Sequence, residues 1–189
     1  MATSPSAPSP GLSVNLLGRL EVRSHDRAQP LALPASRKTR ALLGYLLLTG
    51  SPQRRDRLCE LFWDLPDDPR GALRWSLTKL RPLLNRDGVE RLTADRERVE
   101  ILTTDIDVDL HHIRACADDD AAPAEAWAAA WKNATGVLLE DSDLRKQGGV
   151  TLWLEAERDS VRQARATLAR RLALAPEAPA EEQIGRAHV

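Results

Sequence analysis

The sequence predicts a mixed α+β domain at the amino end, followed by an all-α domain. Two groups of alternating apolar residues, one near the start of the chain and one near residue 95, predict small β-sheets. Between them, apolar residues recur at steps of three and four, which is the spacing of one buried helical face. Beyond Thr103 only the helical spacing recurs, so we expect no strand in that part of the chain.

The amino-terminal domain is expected to begin after a disordered tail. Residues 1–11 are rich in Ser, Pro and Ala and show no periodicity. Alternating apolar residues over 12–22 predict β structure, and the short run "PLALP" at 30–34 predicts another strand of a small antiparallel sheet. Ser36 is placed to cap a first helix that extends to about Leu48.

Two further helices and a hairpin complete this domain, which is expected to span residues 12–104. The second helix covers 54–63, and the third covers 68–84 after the helix-breaking run "DLPDDP". Pro82 is expected to kink or fray the last turn of the third helix, because a proline nitrogen has no hydrogen to donate. The run "VERLTADRERVEIL" at 89–102 then predicts two strands around a turn. The leucines that predict the buried stripe of the third helix are Leu73, Leu77, Leu80 and Leu84.

The second domain is expected to be helical and to span residues 105–182. The run "TTDIDVDL" marks its boundary, and the expected helices lie at about 110–117, 124–132 and 149–175. Trp127 and Trp131 lie one helical turn apart, so we expect both to stack on a neighbouring helix.

The last seven residues, "QIGRAHV" at 183–189, match the translation of a common sequencing-adapter string. We expect this segment to be non-native and the natural chain to continue past Glu182 into more helix, which makes the second domain incomplete. The sequence of the genomic locus tests this expectation, because a stop codon directly after Val189 would contradict it.

Composition favours a cytoplasmic protein. Of the 189 residues, 42% are hydrophobic, which is ordinary for a soluble globular chain. No run of about 18 apolar residues is present, and the amino end lacks the basic and apolar regions of a signal peptide. We therefore expect no membrane partner.

The net charge of −1 conceals an asymmetry between the two halves. Residues 1–104 hold 17 Lys and Arg against 12 Asp and Glu, a charge of +5. Residues 105–189 hold 10 against 16, a charge of −6. This division indicates two units with different partners, of which the basic unit is suited to a polyanion.

Nothing in the sequence argues for catalysis. It contains no Gly-rich phosphate loop, no nucleophile elbow and no HExxH helix. Cys59 and Cys116 fit no metal-ligand spacing and are expected to be small buried thiols. His111 and His112 are adjacent, so they point to different faces of a helix and make a poor metal pair. We expect neither an enzyme nor a cofactor.

The order of elements is the strongest functional signal. A short helix, a break and a helix with a basic flank allow the second of the two helices to enter a DNA major groove. The hairpin that follows carries Arg96 and Arg98 near its turn, where they could reach a minor groove or the phosphates. Together these elements predict a winged helix-turn-helix. The residues that form the basic flank are Arg70, Arg74, Thr78 and Arg81.

Four motifs also resemble those of a known family. They are "RALLGYLLL", "RDRLCELFW", "ALRWSLTKLR" and "LTADRERVEI". In this order they are similar to the DNA-binding domain of SARP-type bacterial transcriptional activators, a branch of the OmpR-type winged helices. The resemblance continues through "DIDVDL" and "GVTLWLEAERDSVRQARATLARRL", which look like parts of the TPR-like bacterial transcriptional activator domain of that family, and it covers about residues 12–175.

The resemblance implies sequence-specific binding of double-stranded DNA, often at repeated sites near promoters. It also implies that the helical domain assists in homodimer formation on such sites or in contact with RNA polymerase. The third-helix residues that it places on DNA are Arg74, Ser76, Thr78, Lys79 and Arg81. Because the helical wheel puts Ser76 nearest the core, we rank that residue last. The same resemblance implies that Arg54 and Arg55 contact backbone phosphates. It also implies that Arg96 and Arg98 are the contact residues of the wing.

Trp75 departs from the OmpR-type pattern, which usually has a small aliphatic residue at this position. It lies nearly opposite the leucine stripe, so it either packs under the wing or lies against the sugar backbone of DNA. We favour packing, because a bare tryptophan is unfavourable.

Two alternatives to a DNA-binding regulator remain open from the sequence. The first is a protein-interaction adaptor whose winged domain does not bind DNA, which the modest +5 charge and the acids Glu90, Glu97 and Glu100 near the wing would suit. The second is the regulatory amino-terminal half of a longer multidomain protein.

Overall fold

The computed structural model describes residues 11–63, 68–142 and 148–175. The expected tail at 1–11, except for Gly11, and the segment 183–189 lie outside the described residues. None of the described helices is both long and apolar enough to cross a membrane. The elements are β1 Leu12–Asn15, β2 Glu21–Ser24, α1 Arg37–Thr49, β3 Gln53–Arg54, α2 Arg55–Phe62, α3 Pro69–Leu84, β4 Leu92–Ala94, β5 Arg98–Ile101, β6 Ile106–Val108, α4 Asp109–Asp118, α5 Ala124–Asn133, a 3-10 turn Glu140–Ser142 and α6 Gly148–Leu174.

The chain divides into two compact units. The amino-terminal unit contains Met1–Val14 and Glu21–Asp107, and the helical unit contains Asn15–Leu20 and Val108–Val189. This division differs from the expected ranges 12–104 and 105–182 mainly because residues 15–20 group with the helices. Their backbone explains the grouping, since the amides of Leu16 and Leu17 donate to the Asp109 carboxylate.

Two small sheets frame the helices of the amino-terminal unit, with strand orders β2-β1-β6 and β3-β5-β4. The first sheet corrects two expectations. Strand β6 lies beyond Thr103, where no strand was expected, and the Leu12 amide donates to the Asp105 carbonyl at 3.0 Å beside it. The run "PLALP" forms no strand, although the Leu31 amide donates to the Val22 carbonyl, because its two prolines lack ladder donors.

The first two helices are confirmed, and they begin or end where local chemistry requires. Ser36 caps α1 by accepting a hydrogen bond from the Thr39 amide at 3.3 Å, and Gly50 ends it in the left-handed conformation at φ 58°. Tyr45 of α1 meets Phe62 of α2 edge to face, with ring centroids 5.7 Å apart. These contacts join α1 and α2 through a single apolar core.

Helix α3 buries the predicted leucine stripe against α1 and α2. A kink or fraying was expected at Pro82. The helix continues through this residue and ends at Leu84, so its last turn does not fray. The Asn85 amide donates to the Arg81 carbonyl at 2.7 Å and closes the helix. The proline therefore costs α3 one backbone hydrogen bond without ending it.

The helical unit packs α4, α5 and α6 around one apolar cluster, and all three predicted helices are confirmed to within a few residues. Small side chains let the helices approach closely. Trp127 packs against the cluster as expected, but Trp131 is 38% exposed and does not follow the expectation. The buried residues of the cluster are Ile113, Ala117, Ala130, Ala134, Ala164 and Leu168.

Candidate nucleic-acid interface

Helix α3 presents one half of its circumference to solvent. At about 100° per residue, the exposed positions span about 180° of the helix, with Thr78 near the middle. One margin of this exposed face carries Arg70, Arg74 and Arg81, and the other carries Lys79. The helix sequence contains four cations and no carboxylate. The charged side chains of the exposed face are therefore all positive, and Thr78 near its middle is small and polar.

The cations of the α3 face are largely available to an external anion. Arg70 donates to the Asp56 carboxylate at 2.7 Å, but both side chains are more than half exposed, so this pair is weak and easily exchanged. Within the described residues, neither Arg74 nor Arg81 has a carboxylate partner. The Thr78 hydroxyl donates a hydrogen bond to the Arg74 carbonyl at 2.9 Å, so its oxygen remains free to accept one from a ligand.

Trp75 lies on the same face and corrects an expectation. Packing under the wing was favoured, yet the side chain is 51% exposed. The Lys79 ammonium lies 5.5 Å from the centre of its ring, so the two residues form a cation–π pair across one helical turn. An exposed, flat aromatic surface therefore stands beside the positive charges of α3.

Ser76 does not belong to this face, and its assignment as a DNA contact is corrected. The residue is 2% exposed, and its oxygen accepts a hydrogen bond from the Thr39 hydroxyl at 3.0 Å. The helical wheel had placed Ser76 near the edge of the core, which agrees with this burial. Its role is to join α3 to α1.

The second sheet places two arginine residues opposite each other. In the antiparallel pairing of β3 with β5, Arg54 is the direct partner of Arg98, and both are exposed. Side chains that face each other across such a pair lie about 5 Å apart at their β-carbons, and like charges there repel. An anion bound between the two residues would relieve this repulsion.

The turn of the hairpin is tied to the start of α2. The Arg55 side chain donates to the Asp95 carbonyl at 2.7 Å, and the Arg55 amide donates to the Glu97 carbonyl at 2.7 Å. Asp95 accepts hydrogen bonds from the Arg98 and Glu97 amides, which hold the pKa of its carboxyl below the usual value. Arg55 therefore positions the turn and keeps only part of its donor capacity for a phosphate, whereas Arg96 is exposed in the turn itself.

A buried arginine that the sequence did not single out fixes the hairpin to the end of α3. The Arg91 side chain is 1% exposed and makes a two-pronged pair with Asp105, with nitrogen–oxygen distances of 3.0 and 2.6 Å. It also donates to the Leu84 carbonyl at 2.8 Å. Asn85 adds a further connection, since its oxygen accepts the Leu92 amide at 2.7 Å. The only sequence signal was one arginine among many, so the assignment required coordinates.

The described residues include no group of three or more His, Cys, Asp or Glu side chains that could hold a metal ion. Cys59 is buried and Cys116 is half-buried, and desolvation raises the pKa of both thiols. A thiol with a raised pKa stays protonated at neutral pH and is a weak nucleophile.

Comparison with known proteins shows the fold. No protein-family model and no curated protein sequence matches the chain. The structure is similar to that of Mycobacterium tuberculosis EmbR in complex with a low-affinity phosphopeptide, with a TM-score of 0.58 and 22% sequence identity over 95% of this chain. The match covers 48% of the EmbR chain, so this chain spans about half the length of that protein.

Proposed function

We propose that this protein is a sequence-specific double-stranded DNA-binding transcriptional regulator of the activator type. Its amino-terminal unit would act as a winged helix-turn-helix, with α3 in the major groove and the β4–β5 hairpin as the wing. The observation that carries the proposal is the exposed half of α3, which holds four cations and no carboxylate. The sequence resemblance to SARP-type activators and the fold similarity to EmbR support the same reading.

Base contacts are assigned to the α3 face. Arg74 and Arg81 flank Thr78, so two guanidinium groups can reach guanine edges while the threonine methyl group meets a thymine. Lys79 lies at the opposite margin and suits a phosphate, because an ammonium group is a point charge without the fork geometry of arginine. Arg70 is assigned to the DNA backbone, where its guanidinium would leave the Asp56 carboxylate and bind a phosphate.

Phosphate contacts are assigned to the second sheet and the wing. Arg54 and Arg98 form a pair of opposed cations, and a phosphate between them would convert repulsion into attraction. Arg96 extends the same surface at the turn, and Arg55 holds that turn in place. These contacts fix register on the duplex and carry little sequence information.

The helical unit is assigned a supporting role. We propose that it is TPR-like, that it assists in homodimer formation on repeated sites, and that it contacts RNA polymerase. The protein is further proposed to be a cytoplasmic non-enzyme. Sedimentation of the full chain with duplexes that carry one or two copies of a selected site measures the first of these roles, since a dimer requires the paired copies for full affinity.

Selection of duplexes from a random pool, followed by a gel-shift series, tests the DNA-binding proposal. With about five phosphate contacts, the slope of log affinity against log salt is expected to be about −4 to −5. Arg81→Ala is expected to cost about 1 to 3 kcal/mol on the selected site and to relax base preference. Arg96→Ala should weaken selected and random duplexes alike.

Arg170→Ala provides the matched control, because Arg170 is an exposed arginine on α6 of the helical unit. It should leave duplex affinity unchanged. If Arg81→Ala binds selected and random duplexes as well as the parent does, the assignment of α3 is wrong. If the full chain passes through a heparin column at about 150 mM salt and the pool yields no site, the adaptor alternative replaces the regulator.

A further inference from the structure

A groove of about 750 Å³ runs beside the carboxyl-terminal half of α3, within the amino-terminal unit. One wall is the irregular segment 27–34, which contains the "PLALP" run. The other wall is formed by the last turns of α3 and by a residue two positions beyond its end. The wall residues on that side are Lys79, Pro82, Leu83 and Arg86.

The groove combines apolar surface with positive charge. Leu31 and Leu33 face it from the irregular segment, while Arg27, Lys79 and Arg86 supply three cations. No carboxylate is among the residues that line it. Such a lining attracts a ligand that carries both carboxylates and apolar groups.

Arg86 is the least exposed of the three cations that line the groove. Its Nε atom is buried and has no hydrogen-bond partner among the described residues. Because the charge of a partly buried group is screened less by salt than that of an exposed one, Arg86 should attract an anion in the groove more strongly than Arg27 or Lys79 does. The neighbouring Asp26 does not line the groove, and it accepts a hydrogen bond from the Ser24 hydroxyl. Arg27 and Arg86 also help to lower the pKa of its carboxyl, after that hydrogen bond, so Asp26 offsets part of their charge.

The dimensions and the apolar component favour a peptide over a duplex. A volume of this size fits a few residues of an extended chain, whereas a duplex about 20 Å wide cannot enter it. An extended segment turns alternate side chains in opposite directions, so carboxylates can meet the arginines while apolar side chains meet the leucines. A phosphate backbone has no side chains to place against Leu31 and Leu33.

We propose that this groove docks an extended acidic peptide segment of a partner protein, in which carboxylates alternate with apolar side chains. The site shares only Lys79 with the residues assigned to DNA. It therefore does not depend on the proposed DNA binding, and the two interactions can be separated by mutation.

Fluorescence anisotropy with the full chain tests the proposal. The probe is a short labelled peptide that alternates Glu with Leu, and its control is the same peptide with Gln in place of Glu. We expect the acidic peptide to bind and the Gln peptide to bind at least about tenfold more weakly. Arg27→Glu and Arg86→Glu should each weaken the acidic peptide at least about tenfold, because they place like charges together.

Arg74→Glu is the matched control, since it reverses a charge on the α3 face outside the groove. It should leave peptide affinity unchanged and reduce duplex affinity. Arg27 is exposed in an irregular segment, so Arg27→Glu keeps the test valid if Arg86→Glu unfolds the unit. The proposal is overturned if both peptides bind equally or not at all. It is also overturned if Arg74→Glu weakens the peptide as much as Arg27→Glu does.

Discussion

Replacement of the buried Arg91 is expected to destabilise the hairpin and the end of α3 together. Arg91→Met keeps most of the side-chain length but removes the guanidinium that pairs with Asp105 and bonds the Leu84 carbonyl. The carbonyl keeps a second donor, because the Arg86 amide also bonds to it at 3.1 Å. The loss therefore falls mainly on the Asp105 carboxylate.

The exposed fractions of the Arg91 and Asp105 side chains set the size of the expected loss in stability. The Asp105 side chain is 28% exposed, so water partly solvates the carboxylate that Arg91→Met leaves behind. We expect a loss of about 3 kcal/mol, the lower end of the range for a broken buried pair. Asp105→Ala should lower the free energy of unfolding by more, about 4 to 5 kcal/mol. It leaves the Arg91 guanidinium without its carboxylate partner, and this side chain is 1% exposed and cannot lose its proton.

Native-state hydrogen exchange followed by NMR measures this loss of stability at the hairpin and the end of α3. The Leu92 and Leu102 amides report on the network, because they donate to Asn85 and to the Arg91 carbonyl respectively. The Leu168 amide on α6 serves as the internal control, since it belongs to the helical unit. A residue-resolved measurement is needed because a chain with two units need not unfold in one step.

The double variant Arg91→Met/Asp105→Ala decides between a specific pair and general disruption. Removing both charges should cost only about 1 to 2 kcal/mol, so the two single losses should exceed the double loss by a coupling energy of about 5 to 7 kcal/mol. If the single and double losses simply add, or if Arg91→Met costs less than about 1 kcal/mol, the pair does not fix the hairpin to α3.

Two further predictions concern residues on either side of the interface. Ser76→Ala should cost about 1 to 3 kcal/mol in urea unfolding, because the buried Thr39 hydroxyl loses its acceptor, while the folded variant keeps its duplex affinity. A drop in the duplex affinity of this variant would instead indicate that Ser76 contacts DNA. The amides of Arg98 and Glu97 lower the pKa of Asp95 below 3.8, so its stabilisation of the hairpin is complete above pH 3.8 and is lost as pH falls through the folded-state value. Asp95→Asn should remove this dependence of stability on acid pH. If the Asp95 carboxyl titrates by NMR with a midpoint at or above 3.8, the two amide hydrogen bonds do not lower its pKa.

The sequence by itself determined those features that depend on neighbouring positions along one element. The leucine spacing of α3 placed its buried stripe, and therefore also placed Arg74, Thr78 and Arg81 on the exposed flank beside it. Ser36 marked the start of α1 in the same way. Helix geometry fixes such relations within a few residues, so spacing alone carries them.

Tertiary structure decided the features that join residues distant in the chain. Strand β6 exists because β1, about 90 residues earlier, supplies an edge for it, and three residues are too few to show a period. The burial of Ser76 depends on the Thr39 hydroxyl, and the pairing of Arg91 depends on Asp105. The groove beside α3 exists only where the segment 27–34 passes the helix. In each case the energy comes from a partner that local spacing cannot identify, because chain folding alone brings the two groups together.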